Sequence, residues 1–447
     1  MRSVTRSSDR LLPGIRISSN ILHSVLAKGL NMTCMLLAMP LGLQYLGSSD
    51  YGIWLTIFSV ISWVSFFDLG ITNGLKNRLS EALSAKDILS AVRYLSTAYA
   101  LLFLLVAVLA VITSIVFYLF SAQAFFAGSM DAGTLKILLI LSAVQALRLL
   151  AEPVLALLTA DHRIGIAGWI GTAGNILSLA VIYLLAKFSA PGLLRLGLAA
   201  TLPPLVVTAT ASLTLYRRMY RDLTPSFAAI DTRLSRDLLS LGGSFFILQI
   251  AGLVLFSTDN LIILKLFSAE EVVPYNVSFR YFSLLSILFS LFLAPFWPVF
   301  TSLFANSDPD RIRRVVRRLV QAWMILVFAG AVMLLSAPLV YRAWLGPDIR
   351  VPAMMDLCML LFALVSSWNN IFAAFLNGVS RIRLQVVVAV ITALLNVPLS
   401  VVLASSAGMG PSGVMMATCL CLLGGSVVAP LQYLRIIRGR AAGIWDR

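Results

Sequence analysis

Long apolar runs separated by short polar connections dominate this chain. The pattern predicts twelve helices, over residues 21–46, 51–75, 95–120, 134–159, 164–187, 192–216, 238–266, 272–299, 319–343, 352–378, 384–404 and 411–436. Most exceed the roughly 20 apolar residues that cross a bilayer, so tilted spans are expected. Pro40, Pro153, Pro203, Pro204, Pro295, Pro298, Pro338 and Pro398 fall within these runs. Each removes one backbone donor and can kink its helix. A membrane tolerates this where protein or water satisfies the freed carbonyl.

The connections alternate in charge. One set holds Arg2, Arg6, Arg10 and Arg16; Lys76, Arg78, Lys86 and Arg93; Arg163; and Arg217, Arg218, Arg221, Arg233 and Arg236. It continues with Arg311, Arg313, Arg314, Arg317 and Arg318; Arg381 and Arg383; and Arg435, Arg438, Arg440 and Arg447. The other set offers Lys187, Arg195, Arg342 and Arg350. The positive-inside rule then predicts a multi-pass protein of the plasma membrane (bacterial inner membrane) with both termini in the cytoplasm. With no large soluble domain, such a chain reads as a transporter, a channel or a membrane-embedded enzyme.

Composition adds little to that picture. Hydrophobic residues make up 60% of the chain, well above the share of a soluble domain. The net charge of +15 is the sum of the loop arginines. It fits contact with anionic membrane lipids and gives no ground for a nucleic-acid partner, since no basic patch sits on a soluble domain. Cys34, Cys358, Cys419 and Cys421 all fall inside predicted spans and read as small apolar side chains. No metal or disulfide is expected, nor a cleavable signal peptide.

The chain repeats weakly at about half its length. The turn Ser48-Ser49-Asp50 matches Ser268-Ala269-Glu270-Glu271, and Leu79 to Asp87 matches Ser302 to Asp310. Six spans per half insert both halves the same way, with the repeat axis along the membrane normal. The expected fold is an all-α polytopic protein: two six-helix bundles, V-shaped around a central cavity. The bundles are placed at 1–216 and 238–447, with a cytoplasmic linker at 217–237. Segments 76–94 and 300–318 are expected to be amphipathic helices lying on the cytoplasmic membrane surface.

Charges at bilayer depth are costly and face a partner or a cavity. Lys28 and Asp68 share a depth of about 10 Å from the arginine-rich side, at 1.5 Å per residue. Asp259 and Arg280 share a similar depth from the other side. Arg148 and Glu152 lie four apart on one helix face. Each pair can be a static bridge or a functional one. Asp68 can also hydrogen-bond the backbone near Gly70, and Lys265 can snorkel outward.

The stretches Leu46-Gly47-Ser48-Ser49-Asp50-Tyr51-Gly52-Ile53-Trp54 and Phe67-Asp68-Leu69-Gly70-Ile71-Thr72-Asn73-Gly74-Leu75 resemble a known pattern. It is that of the O-antigen and exopolysaccharide flippases of the multidrug/oligosaccharidyl-lipid/polysaccharide (MOP) exporter superfamily. Asp259-Asn260 and the stretch from Pro298 to Ala305 add to it. The resemblance implies a non-enzymatic transporter. Its substrate would be an undecaprenyl-pyrophosphate-linked oligosaccharide, turned to the outer leaflet by alternating access. A polysaccharide polymerase and a chain-length regulator are the implied protein partners.

On that reading Lys28, Arg148 and Arg280 are the cations for the pyrophosphate, with Asn31 and Asn276 beside them. Trp368 and Asn369 (with Asn370, Asn377 and Asn396) would meet sugars. Asp68, Glu152 and Asp259 become gate or coupling groups. No GxxxxGK[ST] loop is present, so coupling to a proton or sodium gradient replaces ATP, with no cofactor. Three other functions compete. A peptidoglycan-precursor flippase would use similar chemistry. A multidrug or cation antiporter would favour an acidic cavity. A membrane-embedded glycan polymerase or transferase needs a large outer loop, and every outer connection here is short.

Overall fold

The computed structural model describes residues 13–68, 70–119, 132–293, 295–379 and 381–446. Arg2, Arg6, Arg10 and Arg447 lie outside them. Sixteen α-helices run in order: α1 (Pro13–Leu46), α2 (Ser48–Trp63), α3 (Ile71–Ser84), α4 (Ile88–Leu119), α5 (Ala132–Leu149), α6 (Pro153–Ala160), α7 (Ile164–Phe188) and α8 (Leu193–Arg218); then α9 (Thr232–Ser257), α10 (Asp259–Leu266), α11 (Ala269–Leu293), α12 (Phe296–Ala305), α13 (Pro309–Leu345), α14 (Ala353–Gly378), α15 (Arg383–Val401) and α16 (Pro411–Ile437). No strand occurs among the described residues.

Among the described residues ten segments are long and apolar enough to cross a membrane. The second and seventh expected spans are not among them, and both are broken. The second is α2, a 3-10 turn over Val64–Asp68, and α3. Gly70 supplies the left-handed link at φ 73°, a conformation that costs other residues about 1 kcal/mol or more. The seventh breaks at Thr258 between α9 and α10. Spans four and eight also break, at Pro153 and Pro295, whose rings cannot continue the hydrogen-bond ladder.

The segments 76–94 and 300–318 are each a helix–turn–helix rather than one helix. α3 ends at Ser84 and α12 at Ala305, and after short turns the chain continues as α4 and α13. Their apolar faces bury Leu75, Leu79 and Ala82, and Ile312, Val316 and Leu319, against protein rather than lipid. Asp308 caps α13 by accepting from Arg311 N at 3.0 Å, with Pro309 in the first turn.

Within the first eight helices α1 packs on α7, α7 on α8, α5 on α8, and α3 on α4 and α6. Among the later helices α14 packs on α11, α13 and α16, and α15 on α16. The two groups meet where α2 packs on α11 and where α9 lies against α3 and α4. α2 and α11 open the second span of each repeat, so equivalent helices meet there. The crossing lies at the arginine-poor end and is backbone-close. A Cβ on Gly52 would stand 1.8 Å from Ala269 O, so only glycine fits.

Candidate functional site

At the arginine-poor end the halves are sealed. Besides the α2–α11 crossing, Arg280 on α11 and Trp344 on α13 donate to α1 backbone carbonyls, Met35 O at 2.9 Å and Leu36 O at 3.0 Å. Nearer mid-membrane, Asn260 donates to Ser59 Oγ at 2.6 Å and Leu55 O at 3.3 Å on α2. The Trp63 indole reaches Ser257 O, beside the break in span seven, at 3.4 Å. At the arginine-rich end close packing between the halves runs through α9, and α3 does not pack closely on α12.

Lys28 lies on α1. It is exposed and lies seven residues before Met35, hence on the same face of α1. Among the described residues it has no ion-pair partner. The expected pairing with Asp68 is not made. Asp68 is buried and caps the broken span instead, accepting from Gly70 N at 2.9 Å and Thr72 N at 3.3 Å. Asn31, one turn from Lys28, accepts from Asn175 of α7 at 2.5 Å.

Arg280 and Asp259 do not pair either. α11 begins at Ala269, so Asp259 lies level with Tyr275 and Asn276, about one turn (~5 Å) from Arg280. Tyr275 donates a short hydrogen bond to Asp259 Oδ2, while Asp259 Oδ1 is buried without a partner. Asn276 donates to Asn260 Oδ1 at 2.8 Å, which places it in the seam between the halves rather than on a glycan. Arg148 and Glu152 do approach, but only to 3.9 Å, and both are partly exposed. They flank the break between α5 and α6, where Gln145 donates to Ser65 Oγ at 2.7 Å.

The aromatic and amide groups proposed for sugars are built into the second half. Trp368 packs edge-on between Trp323 and Phe372 and donates to Ser426 O at 3.1 Å. Asn369 donates to Leu422 O, and Asn396 to Thr418 Oγ1. These are helix-to-helix contacts. An apolar cleft of about 630 Å³ between α15 and α16, lined by Ile391, Leu395, Pro398 and Cys421 among others, offers no charge.

The sequence reading passed over one buried carboxyl. Asp356 in the first turn of α14 accepts from Ser278 Oγ at 2.5 Å and Tyr341 OH at 2.7 Å, joining α11, α13 and α14. Its place inside an apolar run was the signal.

No family model matches the chain. A protein of Salmonella typhi described as a candidate O-antigen transporter is 20% identical over 357 residues, 76% of this chain and 78% of its own length. A candidate O-antigen export protein of Yersinia pseudotuberculosis is 20% identical over 148 residues, a third of each chain. Among solved structures, an inward-facing multidrug-resistance MATE transporter of the MOP superfamily aligns at TM-score 0.75 and 13% identity, covering 93% of this chain and 98% of its own. This chain has the MOP-superfamily transporter fold. That fold is all-helical, with twelve spans in two bundles.

Proposed function

We propose that this protein is a flippase that moves an undecaprenyl-pyrophosphate-linked oligosaccharide across the bacterial inner membrane by alternating access. The arginine-rich end is then cytoplasmic, and a gap opening there between the halves would receive the anionic headgroup. One observation carries the reading. Lys28 falls inside an apolar run, is exposed, and has no carboxylate partner among the described residues. A cation so placed calls for an anion from outside the protein. Arg148, loosely held by Glu152, and Arg280, held by a neutral carbonyl, are the next cations available.

The names of the relatives support an O-antigen substrate, and the twelve-span fold supports a transporter over an enzyme. A cationic-drug antiporter fits less well, because an unpaired lysine repels its substrate.

The test is export of the lipid-linked glycan to the cell surface in cells lacking their own flippase. A charged hydrogen bond is worth about 1.5–3 kcal/mol, roughly ten- to hundredfold in affinity. Lys28→Ala should lower export by about tenfold or more, and Lys28→Arg should keep most of it. Normal export by Lys28→Ala would remove the headgroup site.

A further inference from the structure

Pro40 has no N–H, so the carbonyl four residues earlier, Leu36 O, has no donor within α1. Trp344 Nε1 takes that place at 3.0 Å, and Arg280 Nη1 holds the neighbouring Met35 O at 2.9 Å. Both donors come from the other half of the molecule, from α13 and α11. α1 runs unbroken through Pro40, so the proline frees Leu36 O without ending the helix.

We propose that Arg280 and Trp344 form the outer latch of the transporter, closing on Met35 O and on Leu36 O, the carbonyl that Pro40 frees, and that the substrate headgroup opens it. The proposal rests on the alternating-access reading above. Neither bond is an ion pair. When the outer side opens, water can take both acceptors, so each position of the latch keeps its polar groups satisfied. The closed position needs an indole and a guanidinium to cross the seam. The guanidinium is also the cation nearest the outer end of the gap. A phosphate rising past Lys28 competes for it as a charged, two-pronged acceptor against one neutral carbonyl. Binding therefore withdraws Arg280 from Met35, leaves Trp344 alone on Leu36, and lets the outer ends part.

The experiment reads opening directly. In a chain with its four cysteines replaced by alanine, Met32→Cys, one turn on the inner side of Leu36, is labelled from outside the cell with an impermeant maleimide. Trp344→Phe keeps the ring and deletes the donor. It should raise outside labelling by about tenfold, the size of one net hydrogen bond. Pro40→Ala gives Leu36 O an internal donor and should raise labelling similarly. The double variant should add nothing further, because both changes remove the same bond. Unchanged labelling in Trp344→Phe, or additive effects in the double variant, overturns the latch. Gly52→Ala serves as the control, since its Cβ must push α2 from Ala269. If it opens the outer side while Trp344→Phe does not, the latch is wrong and alternating access stands. If neither opens it, both fail. Detergent gel filtration checks that each variant is folded.

Discussion

Asp259 and Asp356 are both buried carboxyls in the second half, and their hydrogen bonds assign them different work. Asp356 Oδ1 takes two hydroxyl donors from two other helices. Asp259 has one tyrosine on Oδ2 and a bare Oδ1. An unpartnered acceptor in an apolar site is costly unless a cation visits it. Asp259 is therefore the proposed coupling group, for a proton or a sodium ion, and Asp356 the structural one. Asp259→Asn should remove the dependence of export on the ion gradient while leaving stability within about 1 kcal/mol. Asp356→Leu should cost about 1 kcal/mol, since hydrogen bonds between membrane helices average less than those in water. Thermal unfolding in detergent, with export measured with and without an ionophore, separates the two. The reverse pattern would exchange the roles.

At the scale of elements, the linker belongs mechanically to the first half. Asp237, at the start of α9, accepts from Arg78 Nη2 of α3 at 2.6 Å and from Tyr94 OH of α4 at 2.9 Å. Ser226 N donates to Ser96 Oγ, and Asp231 N to Thr97 Oγ1. The arginine-rich end of α9 thus rides with α3 and α4, while its body lies on α15. Any movement between the halves must be taken up along α9, ahead of its break at Thr258. The hydrogen bond from Arg78 holds the Asp237 carboxyl below its usual range. A depressed carboxyl stabilises above its unfolded value near 3.9 and loses that contribution as pH falls through its folded value. With both partners about one-third exposed, about 1 kcal/mol is expected. Asp237→Asn should lower the unfolding temperature near pH 7 and match the parent once the pH has fallen below the depressed folded value. A pH-independent difference would point to packing instead.

At the scale of the whole molecule, hydropathy alone located the spans and loop charge alone ordered their ends, because both follow from the bilayer. The breaks in spans two and seven were harder to see. Gly70 and Thr258 interrupt the backbone without interrupting the apolar run. Of the three charge pairs, Arg148 and Glu152 approach as expected, and the other two do not form for a geometric reason. Depth along a helix says nothing about azimuth, and a start at Ala269 rather than 272 moved Arg280 by most of a turn relative to Asp259. The repeat, though weak, placed α2 and α11 as equivalents, and they pack on each other. It also decides a last question. A repeat whose axis follows the membrane normal puts equivalent positions on the same side, and an inverted repeat puts them on opposite sides. Ser49 and Glu270 are equivalent and exposed, as are Ala85 and Asn306. The second pair spares the capping residues Asp87 and Asp308, whose loss would cost a helix end about 1 kcal/mol. Single cysteines at Ser49 and Glu270 should react with an impermeant maleimide in intact cells. Those at Ala85 and Asn306 should react only after permeabilisation. A split within either pair would break the parallel repeat, and with it the crossing of equivalent helices that closes the outer side.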